Sequence, residues 1–248
     1  MARRIEMREQ LNARLSIDPA RTAVLAIDTH RGHLDPEIAT MPVSPEIAAS
    51  VVEASARLLE ATRAAAIPTA FLVMHNRTVA GRSENFRNPF WRAVEDIRAS
   101  LTPELPSTIS GHNLVGSPQT EVMPELAPQP DDVVITSKHR LSSFIDTDLE
   151  SWLRVRDVDT LLLIGINTNT CVQCAAFEAF NRDYGVVVVS DCVHSMYGND
   201  LHEFGLENVA RCFGWVLSVD EVVENLREAT GAMHEATGAE RAGAVAAS

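Results

Sequence analysis

Short aliphatic runs recur along the chain, separated by stretches whose apolar residues fall at helical spacing. "TAVLAID" (22–28) is apolar at successive positions up to a final acid, the pattern of a strand buried on both faces. "PTAFLVMH" (68–75), "DDVVITSK" (131–138), "DTLLLIGI" (159–166) and "GVVVVSD" (185–191) have the same form. Between the first two, "SPEIAASVVEASARLLEATRAAAI" (44–67) predicts a helix with Ser44 as its cap, proline at its first position and Pro68 as its stop. Further helices are predicted over 4–15, near 91–100, over 147–158, over 171–184 with Gly185 as the cap, and over 202–213. "GWVLSVDEVVENLRE" then supplies a short strand and a last helix.

Strands that alternate with helices, each strand apolar on both faces, imply an α/β fold. The expected form is a doubly wound, mainly parallel sheet with helices on both faces. Ligands of such sheets bind just beyond the carboxyl ends of the strands. Residues 1–20 are expected to form an N-terminal arm that packs on a partner subunit. Residues 21–231 are expected to form one domain, and 232–248, small and polar, a mobile tail.

Composition narrows the function classes. The 248 residues are 46% hydrophobic and 22% charged, ordinary for a chain with a sizeable core. A formal charge of −13 disfavours nucleic acid and anionic lipid as partners, and no segment has the apolar length of a membrane span. The N-terminus lacks the apolar stretch of a signal peptide, and four cysteines are too few for a disulfide scaffold. A reducing, cytoplasmic setting is the expectation.

Three strands end in residues that can do chemistry: Asp28, Lys138 and, just past "LLLIGI", Cys171. Each alone has an ordinary explanation, as a helix-capping acid, a solvated lysine and a packed thiol. Together at one sheet edge they suggest an activated nucleophile. A free thiol, with a pKa of about 8.5, is largely protonated at neutral pH. A nearby ammonium and a helix N-terminus favour the thiolate, and a carboxylate can take the thiol proton. Backbone N–H groups between Asn167 and Cys171 can converge on an oxyanion.

In "AVLAIDTHRGHL", "SKHRLSSF" and "GINTNTCV", in this order from about residue 20 to 220, the chain resembles the isochorismatase-like cysteine hydrolases, which include nicotinamidase, N-carbamoylsarcosine amidase, biuret hydrolase and ureidoacrylate hydrolase. The resemblance implies Cys171 as nucleophile, Asp28 as general acid/base for thiol, leaving amine and water, and Lys138 as the charge that stabilises the thiolate. It also implies a cis Ile166–Asn167 peptide that turns the Asn167 amide toward the oxyanion beside that of Cys171. Phe144, Thr168 and the 76–130 loop become candidates for contact with a small-molecule substrate. Many relatives read Gln-Asn-Asp-Phe where this chain has His30, Arg31, Gly32 and His33. The aromatic wall then passes to the His33 imidazole, and Arg31 hints at an anionic or polar substrate group. The expected reaction is cleavage of a C–N bond in a small amide, carbamoyl compound or ureide through a thioester. The alternatives are a metal-assisted nicotinamidase-type reaction and a vinyl-ether hydrolysis that does not use the thiol. The family habit further implies a homodimer or homotetramer.

No cofactor is expected, since neither G-x-G-x-x-G nor a P-loop occurs at a strand–helix junction, and the G-x-S-x-G elbow is also absent. Cys171 and Cys174 form a C-x-x-C without a second pair, which argues against a zinc clip. Nicotinamidases hold a metal through an Asp-x-His pair, absent between residues 36 and 74. His30, His33 and His75 are left as histidines that could converge on a metal, although the expectation is that none is bound.

Overall fold

The computed structural model describes residues 2–104 and 109–229. The expected tail, 232–248, lies outside the described residues. The chain runs through α1 (Ala2–Asn12), β1 (Thr22–Ile27), α2 (Arg31–Leu34), α3 (Pro45–Ala64) and β2 (Thr69–Met74). A small hairpin, β3 (Thr78–Val79) and β4 (Arg82–Ser83), and α4 (Pro89–Leu101) follow. The second half holds β5 (Val133–Lys138), α5 (Leu149–Val155), β6 (Thr160–Ile166), α6 (Gln173–Phe180), β7 (Gly185–His194), α7 (Asn199–Cys212) and β8 (Trp215–Leu217), then α8 over 219–229.

The main sheet has the order β5-β2-β1-β6-β7-β8, and every neighbouring pair is parallel. The alternation of side chains along each strand sorts the core into two layers. Val24, Ala26, Leu162 and Ile164 face Leu58 and Leu59 of α3 and Val222 and Leu226 of α8. Ala23, Leu25, Ile27, Leu161 and Leu163 face Leu149 and Leu153 of α5, Ala175 and Ala179 of α6, and Val209 of α7. This is the three-layer α/β/α architecture expected of continuous apolar strands. The strand order reverses between β1 and β6, so their carboxyl ends flank the crevice where doubly wound sheets bind ligands.

Ser44 caps α3 as expected, its hydroxyl accepting the Ile47 N–H at 3.3 Å. Two local expectations need correction. The helix expected over 171–184 begins as a π-helical turn, Thr168–Val172, and continues as α6 only to Phe180. Its end is turned by Asp183, whose φ is +63°, while Gly185 already belongs to β7. β7 continues to His194 through a register shift opposite Leu163 and Gly165. Its polar residues near the middle anchor the next element: the Ser190 hydroxyl donates to Leu217 O, and Asp191 accepts the Val219 N–H. The N-terminal segment also makes contacts with its own chain. Arg8 donates to Val216 O at 3.2 Å, and the Trp215 indole N–H donates to Leu11 O at 3.1 Å.

Candidate active site

Asp28 follows β1 directly and takes a left-handed φ of +53°, a conformation that aspartate tolerates better than most residues. Its Oδ1 accepts the Met74 N–H at 2.9 Å, which ties the ends of β1 and β2 together. Lys138, the last residue of β5, pairs in register with Met74 and reaches back under it. Its ammonium donates to Asp28 Oδ2 at 2.7 Å and lies 3.6 Å from Cys171 Sγ. Asp28 and Lys138 are wholly buried, and Cys171 is 3% exposed. The three residues read from separate strand ends therefore meet at one point.

Gly165 is what permits the meeting. At its φ of +120°, an added Cβ would stand 1.8 Å from Ile27 O, so only glycine lets the end of β6 close on β1. The Ile166–Asn167 peptide that follows is cis, as the resemblance implied. The π-helical turn then carries Cys171 over the ion pair.

Burial, the largest influence on Asp28, raises its pKa, but the combined pull of Lys138, His30 and His33 carries it below the usual carboxylate value. Burial lowers the Lys138 pKa, and Asp28 and Cys171 together more than restore it. The pair is thus ionised. Burial pushes the Cys171 thiol up to about 12, with Lys138 offsetting only part of the effect and the Asp28 carboxylate adding to it. Burial thus favours the protonated thiol beside the Asp28–Lys138 ion pair. A carboxylate so placed can take the proton from sulfur as the sulfur attacks.

A cavity of about 170 Å³ opens onto Cys171 at the carboxyl edge. Asn167, Thr170 and Cys171 line it from the sheet side, and His33, His112 and His139 are also on its wall. Asp28 and Lys138 lie behind the thiol, outside the lining. Two wider clefts, about 680 and 700 Å³, open at the amino ends of the strands, near Thr22 and Val133 and near Gly185 and Trp215. Neither contains any of the triad, so the small cavity is the candidate site.

Of the expected substrate contacts, His33 lines the cavity. Arg31 does not: its guanidinium is bound to Asp35 at 2.8 Å and Glu121 at 3.2 Å. Phe144 is buried under the Arg182 guanidinium, 4.5 Å from its ring centre, in the layer beneath α6. Thr168 turns toward α7, where its hydroxyl meets His202 Nδ1 at 2.8 Å. The 76–130 loop contributes Asn85, Asn88, Trp91, Ile109 and His112, as a pocket-forming insertion would. Tyr197 lies in "HSMYGND" after the fifth strand, at the carboxyl edge, where a substrate contact is an open reading of the sequence. Sequence alone does not point to Trp91, His112 or His139; His139, directly after Lys138, has a signal in its position, and for Trp91 and His112 loop sequence carries none.

His30 and His33 lie 5.1 Å apart, and His33 and His112 5.2 Å, as a file of imidazoles leading from Asp28. The His75 carbonyl accepts from His139. No group of three or more His, Cys, Asp or Glu able to hold a metal occurs among the described residues. Burial is the main cause that lowers all three imidazoles of the file, His30 to about 3. Their folded pKa values lie below the unfolded one, so between the two the unfolded chain binds more protons. The His30 contribution is therefore complete above about pH 6.5 and falls as the pH drops toward 3, by up to about 1.4 kcal/mol per pH unit, and His33 and His112 act in the same direction. Urea unfolding from pH 7 to 4 checks this, and a free energy that stays flat down to pH 5 contradicts it.

Comparison with known proteins follows the same lines. A family model described as the isochorismatase domain matches residues 22–221. A ureidoacrylate amidohydrolase RutB from Methylobacterium radiotolerans is 31% identical over 210 residues, 83% of this chain and 79% of that protein. The crystal structure of a cysteine hydrolase from Pseudomonas syringae pv. phaseolicola matches with a TM-score of 0.71 at 29% identity, covering 87% of this chain and 97% of that one. N-carbamoylsarcosine amidase from Thermoplasma acidophilum shares the fold, with a TM-score of 0.61 at 22% identity over 81% of this chain and 97% of its own. With its acid, lysine and cysteine brought together from the carboxyl ends of β1, β5 and β6 and a family match across most of its length, the chain belongs to the isochorismatase family.

Proposed function

We propose that this protein is an amidohydrolase that cleaves the C–N bond of a small ureide or amide through a thioester on Cys171. One observation carries the reading: the Lys138 ammonium bridges Asp28 at 2.7 Å and the Cys171 sulfur at 3.6 Å, and Cys171 lines a cavity. Relatives that bear the name ureidoacrylate amidohydrolase, one of them 31% identical over most of both chains, support a ureide or amide as the substrate class. Asp28 takes the thiol proton as the sulfur–carbon bond forms, and Lys138 holds that carboxylate in place. The oxyanion is received by the backbone N–H groups of Asn167 and Cys171, both on the cavity wall. Collapse expels the amine, and water then cleaves the thioester.

Self-association belongs to the same proposal. Phe177 and Phe180 of α6 and Phe204 of α7 are exposed aromatic residues that support a buried role in an oligomer. Among the described residues no helix is long and apolar enough to cross a membrane.

Iodoacetamide tests the use of the thiol. Alkylation mapped to Cys171 by mass spectrometry is expected to stop ammonia or amine release in proportion to its extent, and substrate to slow it. Enzyme fully alkylated at Cys171 that still turns over would refute the thioester and favour a reaction without the cysteine.

A further inference from the structure

A carbonyl flanked by N–H groups brings donors as well as an acceptor into the cavity. Its oxygen has the backbone N–H groups of Asn167 and Cys171 to receive it, whereas its N–H groups need acceptors, because a donor buried without one loses the hydrogen bond it made to water. No Asp or Glu is on the cavity wall, but three imidazoles are: His33, His112 and His139. His112 has both nitrogens engaged, by Thr40 at 2.9 Å and Asn113 at 3.1 Å. His139 keeps Nδ1 on His75 O, but 22% of its side chain is exposed, so water can serve it with or without a ligand.

His33 is held by both backbone and ring. His30 caps α2, its Nδ1 accepting the Gly32 N–H at 3.1 Å. The His33 N–H donates to His30 O, and His33 O accepts the Val43 N–H, each at 3.2 Å. Its ring Nδ1 lies 3.1 Å from Met41 O. A carbonyl oxygen only accepts, so Nδ1 carries the hydrogen. At 4% exposure, burial keeps the ring from taking a second proton. Nε2 is then a bare lone pair that meets no donor among the described residues, and it is not sealed off as His30 Nε2 is. The ring also stands toward the reacting end of the cavity: His30, 5.1 Å from it, has Nε2 3.7 Å from Asp28 Oδ1. Phenylalanine, which many relatives have at this position, would give a wall of similar shape without an acceptor.

We propose that His33 Nε2 accepts a hydrogen bond from an N–H on the scissile carbonyl group. His33 thereby selects ureides, N-carbamoyl compounds and primary amides over acyl compounds of the same shape that lack such an N–H. The assignment deepens the amidohydrolase reading and rests on its thioester.

Phenyl carbamate and phenyl acetate test it, since they differ only by NH₂ in place of CH₃ on the carbonyl and both release phenol when the thiol attacks. Values of kcat/KM for phenol release are compared among wild type, His33→Phe and His33→Gln. His33→Phe is expected to lose about 10- to 100-fold on the carbamate, the range for one buried hydrogen bond, and to stay within about threefold on the acetate. The acetate rate shows that the nucleophile and the fold are intact. His33→Gln, whose side-chain oxygen can stand near the place of Nε2, should recover part of the carbamate rate. A carbamate rate in His33→Phe within about threefold of wild type, or losses that are equal on the two probes in both variants, overturns the role of His33. Wild type that forms no acyl adduct on Cys171 with phenyl acetate, read by mass, defeats instead the thioester on which the proposal rests.

Discussion

Cys171→Ala is expected to reduce hydrolysis of every amide or ureide substrate by at least about 10⁴-fold, the scale seen when a nucleophile is removed from a cooperating set. The fold should survive. Cys171 is buried, but deleting one sulfur beside the polar Lys138 and Asp28 opens a hole next to groups that water can solvate, so the melting temperature should stay within a few degrees. Cys171→Ser should be nearly as inactive. The sulfur lies 3.6 Å from the ammonium, and a shorter, less acidic hydroxyl cannot use a carboxylate whose pKa is held low. Initial rates of ammonia release, with thermal melts of the same preparations, check both points. A Cys171→Ala protein with near wild-type turnover ends the mechanism.

The second large effect is on the ion pair. Lys138→Met fills a similar volume but leaves Asp28 fully buried without its cation. Breaking a buried pair in this way costs about 3–5 kcal/mol, because the remaining charge has lost its compensation. The variant should also be inactive, since an unpaired Asp28 protonates more readily and is no longer available as a base. Lowering the pH should relieve part of the instability, because a protonated Asp28 needs no partner. Asp28→Asn combined with Lys138→Met removes both charges and should recover most of the lost stability with none of the activity. Denaturant titrations of the two single variants and the double variant give the coupling energy. Additive losses would mean that the 2.7 Å contact does not link the two residues in solution.

The same residues separate what could be read along the chain from what could not. The continuous apolar run ending at Asp28 exposed the sheet and its chemical edge, because a strand buried on both faces must be apolar until it reaches the crevice, whereas β5, at the sheet edge and half exposed, carries Thr136 and Ser137 before Lys138. The motifs around these residues and Cys171 exposed the triad. Phe144 and Thr168 lie close in sequence to Lys138 and Cys171, yet they turn toward α6 and α7 rather than the cavity. Sequence proximity does not give side-chain direction. Arg31 shows a second limit: its charge is neutralised by Asp35, one helical turn on, and by Glu121, distant in sequence.

The sequence alone determined the layer order of the fold, the three strand-end residues and the class of chemistry they support. These depend on local periodicity and on residue types fixed by backbone position. The tertiary structure decided that burial pushes the Cys171 thiol up, that the 76–130 loop brings His112 and Trp91 to the cavity, and that Glu84 lies 3.3 Å from His139. Each of these depends on which charges and rings become neighbours when distant segments are buried together. No spacing along the chain encodes that distance.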